Sequence, residues 1–394
     1  MDPAYNPYTP GAGVQPAELV GRESELEAFD RLIARAKLRY PERGMVLYGL
    51  RGVGKTVLLR RMENIALNQG WMTIFLEGQP GESGQEATRR RLGSAIAQAA
   101  RSYAHRSKAS KFLASIREVV TSFTVTMGPA TVTADLDLTS QRAGSGQLDL
   151  DFEELVEDVC ANLGDGAAFV VFVDELQDLD RDLMAALVTT QHLAGQRGMP
   201  FYVMGAGLPN LPAELTAARS YAERLFEYRE IGPIALTAAR DALTVPAARH
   251  GARYEEEAIT TLTTEAQGYP YFIQEFGKAA WLLAQDRTIT IDDAHGAIAA
   301  GYAELDRGFF PSRWNRATPT ERRYLAAVAS SGGQVASTAQ LVAALGASSA
   351  SELSSTRADL IRKGLIFAPE HGRVAFTVPG MTAFIRRQEA PPSL

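Results

Sequence analysis

Residues 45–67 read MVLYGLRGVGKTVLLRRMENIAL: a short apolar run, a loop with three glycines, then a segment apolar at helical spacing. Few stretches restrict a fold so tightly. The loop fits G-x-x-x-x-G-K-[ST], with Gly49, Gly54, Lys55 and Thr56 at the fixed places, and it lies between a predicted strand and a predicted helix, the context such a motif requires. Gly49, Gly52 and Gly54 let the backbone curl so that its N–H groups face an anion. The following helix turns its positive end toward the same point. Lys55 would reach the outer phosphates of a nucleotide, and the Thr56 hydroxyl would ligate magnesium. A plain glycine turn would not call for Lys55–Thr56. Candidate nucleotide contacts are Gly49, Arg51, Gly52, Val53, Gly54, Lys55, Thr56 and Val57.

A second stretch, VVFVDELQDLD at 170–180, runs a strand that looks buried straight into Asp174–Glu175. Desolvating charge is costly, so these carboxylates need a partner. A magnesium nucleotide supplies one. Asp174 would hold the metal through water, and Glu175 would polarise the attacking water as general base. Both would lie at the carboxyl edge of the sheet, where open α/β sheets bind ligands. Asp178 and Asp180 read as surface acids on the next turn.

Strands at 45–48, 71–78, 170–173, 200–207 and 228–236 alternate with helical patterns, which predicts parallel βαβ units. One segment departs from this. TSFTVTMGPATVTADLDL, 121–138, alternates with period two about Gly128–Pro129 and predicts a β-hairpin inserted at about 106–148. It would cover a hydrophobic flank or contact DNA or a neighbouring subunit. Residues 1–18 read as an extended arm, 19–236 as the nucleotide-binding core, 237–305 as an all-helical lid, and 306–394 as three helices with a hairpin wing about His371–Gly372.

Charge is divided unevenly. From Asp306 onward there are 11 Lys/Arg against 6 Asp/Glu, an excess of +5, which leaves −11 for the rest of a chain of formal net charge −6. A basic tail on an acidic body suggests a division of labour. The single cysteine, Cys160, excludes an internal disulfide and reads as a buried small side chain. The five histidines show no metal-ligand spacing. No signal-peptide pattern or membrane-length apolar run is present, so a cytoplasmic location is expected.

Phosphate loop, apolar strand with Asp-Glu, helical lid and winged helix-turn-helix, in that order, resemble the AAA+ P-loop ATPases. The resemblance covers about 18–390 and is nearest the origin-recognition-like branch and its archaeal and STAND relatives. ELVGRESEL (18–26) is similar to that branch's N-terminal motif, which implies adenine contacts near Val20–Gly21. GYPYFIQEFG (268–277) is similar to its GxP lid motif, which implies that Tyr269 and Pro270 lie near the base or ribose. SYAERLFEYREIGPI resembles the segment that carries an arginine finger, with Arg224 first and Arg219 second. ATP/ADP and Mg2+ are the implied cofactors, with Thr56 and Asp174 on the metal and Glu175, Lys55 and Arg224 catalytic.

Two departures point to slow hydrolysis, as suits a switch. The fourth strand ends in glycine and alanine where the family carries a polar residue, with Asn210 the nearest substitute. The lid motif has no arginine; Gln274 and Lys278 are its nearest polar residues. In the last domain, 349–366 would be the recognition helix, with Ser354, Ser355, Arg357, Arg362 and Lys363, followed by Arg373 on the wing and Arg386–Arg387. These suit double-stranded DNA at 349–387. The alternative is a STAND-like regulatory or defence-system protein acting on a protein partner with negligible turnover; a nucleotide-dependent homo-oligomer belongs to the switch reading.

Overall fold

The computed structural model describes residues 1–107, 110–126, 143–333 and 335–389. The backbone divides into two compact units. One is Arg22–Gly49 with Gly54–Gly232; the other is Met1–Gly21 with Leu50–Val53 and Pro233–Leu394.

The first unit is built on five strands: β1 Gly44–Tyr48, β2 Met72–Glu77, β3 Phe169–Asp174, β4 Phe201–Gly207 and β5 Phe226–Glu230. They pair in parallel in the order β2-β3-β4-β1-β5. Every residue of β3 and β4 is buried. That is why these strands read as continuous apolar runs: a parallel sheet has both faces covered. The cover comes from α1 Glu23–Lys37, α2 Lys55–Asn68, α3 Glu82–Ser107, α4 Ser110–Thr126, α5 Leu148–Ala161, α6 Arg181–Arg197, α7 Leu211–Ala218 and α8 Ala222–Leu225.

The inserted hairpin is corrected here. Its first strand is helical, since α4 continues through Thr126; residues 127–142 lie outside the described residues. Phe112, Ile116, Val119, Val120 and Phe123 are buried, a helical spacing, while Thr121 is exposed. Burial of that stripe against α3 and α5 outweighs the β-propensity of the Thr/Val run. Asp180 is a second correction. It is buried, caps α6 by accepting from Leu183 N at 2.9 Å, and pairs with Arg89 of α3 at 2.9 Å.

The second unit contains α9 Leu236–Arg249, α10 Glu256–Ala266, α11 Pro270–Leu283 and α12 Ile291–Glu304, with the short parallel pair β6 Arg253–Tyr254 and β7 Thr288–Ile289. A π-helical turn, Leu305–Phe309, leads into α13 Phe310–Trp314 and α14 Pro319–Ser330. Strand β8 Val335–Ser337, α15 Thr338–Leu345, α16 Ser354–Arg362, β9 Ile366–Phe367, β10 Arg373–Phe376 and α17 Met381–Glu389 follow. β10 pairs antiparallel with both β8 and β9. Capping boxes at Thr290–Asp293, Thr318–Glu321 and Ser337–Gln340 set the starts of α12, α14 and α15. One hydrophobic cluster runs from Tyr8 through Phe272 and Phe310 to Phe384 and Ile385. Phe310 stacks on Phe384 at 5.3 Å.

The N-terminal arm is docked on this unit. The Tyr8 ring is buried; its hydroxyl donates to Leu243 O at 2.5 Å and lies 2.7 Å from the Tyr254 hydroxyl. Trp281 Nε1 donates to Asp2 O at 2.9 Å. A Cβ on Gly277 would sit 2.8 Å from the Tyr8 ring, so glycine in α11 admits it.

Candidate nucleotide site

β1 ends where only glycine fits. A Cβ on Gly49 would lie 2.1 Å from the Ile231 carbonyl oxygen. Gly52 and Gly54 take φ of 84° and 93°, the left-handed region open to glycine. Gly54 is also the residue before α2, so the loop closes onto a helix N-terminus, the end of a helix that favours an anion. Lys55 opens that helix and is buried, with Nζ donating to Gly49 O at 3.0 Å.

Asp174 ends β3. Between β1 and β3 lies β4, whose last residues Gly205, Ala206 and Gly207 put nothing longer than a methyl into the gap. Thr56 Oγ1 therefore reaches Asp174 Oδ2 at 2.6 Å. Burial pushes the Asp174 carboxyl above its usual range; the Thr56 hydrogen bond opposes that, and the neighbouring Glu175 charge adds to it. Lys55, Thr56, Asp174 and Glu175 thus gather at one edge of the sheet, all four buried or half-buried. A hydroxyl beside a buried carboxylate is a hard-oxygen pair, the donor type that magnesium takes alongside phosphate oxygens and water. No cluster of three metal-ligating side chains exists among the described residues, so these two donors suit a cation that keeps most of its waters.

Glu175 has φ 48° and ψ 47°, a left-handed backbone on a non-glycine residue. Its carbonyl presses on Gly78, where a Cβ would lie 2.2 Å away. Its carboxylate accepts from Gln177 Nε2 at 2.6 Å. Sequence reasoning missed Gln177. The one signal was its place two residues after Glu175 combined with glycine at the end of the fourth strand. Asn210, the expected substitute there, turns its amide to Glu214 instead, at 3.4 Å.

The remaining candidates separate. Arg224 is exposed in the short helix α8, two residues before β5. Arg219 is half-buried and donates to Thr189 Oγ1 at 3.2 Å and to the Ala218 carbonyl at 3.1 Å. In the second unit, Gly21 and Gly268 both press on Ile234: a Cβ on Gly21 would lie 3.2 Å from its side chain, and one on Gly268 would lie 2.3 Å from its carbonyl oxygen. That brings Val20–Gly21 beside Tyr269–Pro270, where Tyr269 precedes α11 and Pro270 opens it. Gln274 accepts from Thr9 N at 3.1 Å, so its side chain serves the arm, and Asn6 donates to the Lys278 main-chain carbonyl at 3.1 Å.

Residues 18–204 match the AAA ATPase domain family model, and 307–385 match a domain of unknown function (DUF8462). No curated protein matches the sequence. Among solved structures, the Walker-type ATPase of Pyrococcus abyssi is similar with a TM-score of 0.59 at 17% identity, covering 94% of this chain and 97% of that one. The Orc1 protein of Aeropyrum pernix in complex with DNA gives 0.47 at 17%, covering 95% and 94%. Cdc6p of Pyrobaculum aerophilum gives 0.46 at 14%, covering 99% of each.

Proposed function

We infer that this chain, whose residues 18–204 match the AAA ATPase domain model, is an ATP-dependent molecular switch of the origin-recognition-like kind that its motifs resemble. In this reading Lys55 and the amides of 49–56 hold the phosphates. Thr56 and Asp174 hold magnesium, which when bound would neutralise phosphate charge. Glu175 takes a proton from water as the water oxygen bonds to the γ-phosphorus and the bond to the ADP oxygen breaks, giving ADP and phosphate. Arg224, exposed, is the residue a second copy would present; the base contacts implied for Val20, Gly21, Tyr269 and Pro270 belong to the same proposal. The observation that carries the reading is the 2.6 Å contact between Thr56 and Asp174. Two segments 118 residues apart meet with the groups a magnesium nucleotide needs.

The test is ATP retention and turnover by the full chain, with Lys55→Ala and Glu175→Gln beside it. Magnesium-dependent retention lost in Lys55→Ala, and slow turnover lost in both, supports the reading. Wild-type protein that retains no adenine nucleotide with magnesium overturns it.

One observation favours the second reading, regulation of a protein partner. Five of the six cations proposed for DNA are held within the chain. Arg362 pairs with Asp359, Lys363 with Glu321 at 2.6 Å, Arg373 with Glu370 at 3.5 Å and Arg387 with Asp306 at 2.6 Å. Arg386 donates to the Ala329 carbonyl at 2.7 Å. Exposed pairs are worth about 0–1 kcal/mol and yield to a phosphate. The Lys363–Glu321 pair does not, because Glu321 is buried and also holds the Thr318 cap. Retention on duplex DNA with a steep salt dependence would favour DNA engagement; none at low salt would favour the protein partner.

A further inference from the structure

β4 ends Gly205-Ala206-Gly207, with no polar side chain to face the acid pair. The space is filled from another element. A Cβ on Gly207 would lie 2.3 Å from Gln177 Oε1, so glycine there is what lets the Gln177 side chain in. Gln177 sits in the short 3-10 turn Leu176–Asp178 that follows Glu175. Its amide is used at both ends. Oε1 accepts from Leu208 N at 3.1 Å, and Nε2 donates to Glu175 Oε2 at 2.6 Å. The orientation is fixed by chemistry: a main-chain N–H only donates and a carboxylate only accepts, so the oxygen must face Leu208 and the nitrogen Glu175. Nε2 also lies 3.4 Å from Asp178 Oδ2, a longer contact.

Glu175 itself is held in a left-handed conformation, which persists only where the surroundings over-determine it. Gly78, the residue after β2, accommodates its carbonyl, and Gly78 N donates to Asp174 O at 2.8 Å. The backbone is thus fixed from the β2 side and the carboxylate from the β4 side. We propose that Gln177 is the positioning residue of the ATPase reaction: its amide sets the Glu175 carboxylate against the end of β4, so that a displacement at Gly207–Leu208 is passed to the general base through one side chain. The inference rests on the ATPase reading above and adds a residue to it.

The experiment uses the full chain with magnesium and radiolabelled ATP, measuring nucleotide affinity and single-turnover hydrolysis separately. Gln177→Ala removes both bonds. Gln177→Glu keeps the size and the oxygen that accepts from Leu208 but turns an acceptor toward Glu175. Both variants are expected to hydrolyse about 10–100-fold more slowly, with ATP affinity within about two-fold of wild type. In a Glu175→Gln background, Gln177→Ala is expected to cost nothing further, because the two residues act as a unit. A purely structural role predicts a wild-type rate for Gln177→Glu; that rate, or additive losses in the double variant, overturns the assignment. If wild type shows no Lys55-dependent turnover, the ATPase reading falls and this assignment with it. If wild type turns over and Gln177→Glu matches it, only the role of Gln177 falls.

Discussion

Asp174 is a carboxylate at the end of a fully buried strand, and one hydroxyl, that of Thr56, meets it. Replacing that hydroxyl with a methyl of equal size isolates its work. Thr56→Val is expected to weaken magnesium-dependent ATP binding about ten-fold or more while Thr56→Ser keeps it. Titration calorimetry with and without magnesium reads the difference, and equal loss in both conditions would place the effect in the phosphate loop rather than at the cation. The loop and the acid pair were legible in the sequence because each is a local pattern with fixed spacing. Gln177 was not, because its role depends on a glycine thirty residues later that opens space beside it. Asp180 was misread for the same reason: its partner Arg89 lies on α3, far away in sequence.

At the level of elements, α4 shows how burial overrides alternation. The stretch 121–126 alternates, yet Phe123 also completes a helical stripe begun at Phe112 and Ile116. Phe123→Ala is expected to cost about 3–5 kcal/mol, and Thr121→Lys close to nothing, by urea unfolding. A hairpin would put both residues on one face and make the lysine costly. Arg89 ties α3 to the start of α6. Burial alone would raise the Asp180 carboxyl, but the Arg89 hydrogen bond and the Leu183 N–H hold it below the usual range. A depressed carboxyl stabilises the fold above its unfolded value and loses that contribution as pH falls through the folded value. Arg89→Met is therefore expected to cost about 1–3 kcal/mol at pH 7, shrinking below about pH 4. Unfolding midpoints across pH check both parts. The five strands were legible from their apolar runs; the docked arm and the small strand β8 were not, since Pro/Gly-rich and two- to three-residue segments carry little periodic signal.

For the molecule as a whole, the helical region and the C-terminal region share one core. The sequence suggested two domains at 237–305 and 306–394; the aromatic run Phe272, Phe309, Phe310 and Phe384 connects them. Phe310→Ala is expected to cost about 3–5 kcal/mol and to loosen α11 and α17 together, measurable by hydrogen exchange on each helix. Independent loosening would mean separate cores. A switch also needs an arrested state. Glu175→Gln is expected to keep ATP bound and to hold any nucleotide-dependent assembly that wild type forms, as read by light scattering. A monomeric variant beside an assembling wild type would sever hydrolysis from assembly.

The Tyr8 ring that fills the notch at Gly277 has a consequence for the order of synthesis. The ribosome makes that tyrosine 269 residues before the glycine that receives it. At about 5–20 residues per second the leading segment waits tens of seconds for its seat. Before that wait ends the last strand of the other unit's sheet, Phe226–Glu230, has been made, so the bundle that closes over Tyr8 settles after that sheet can form.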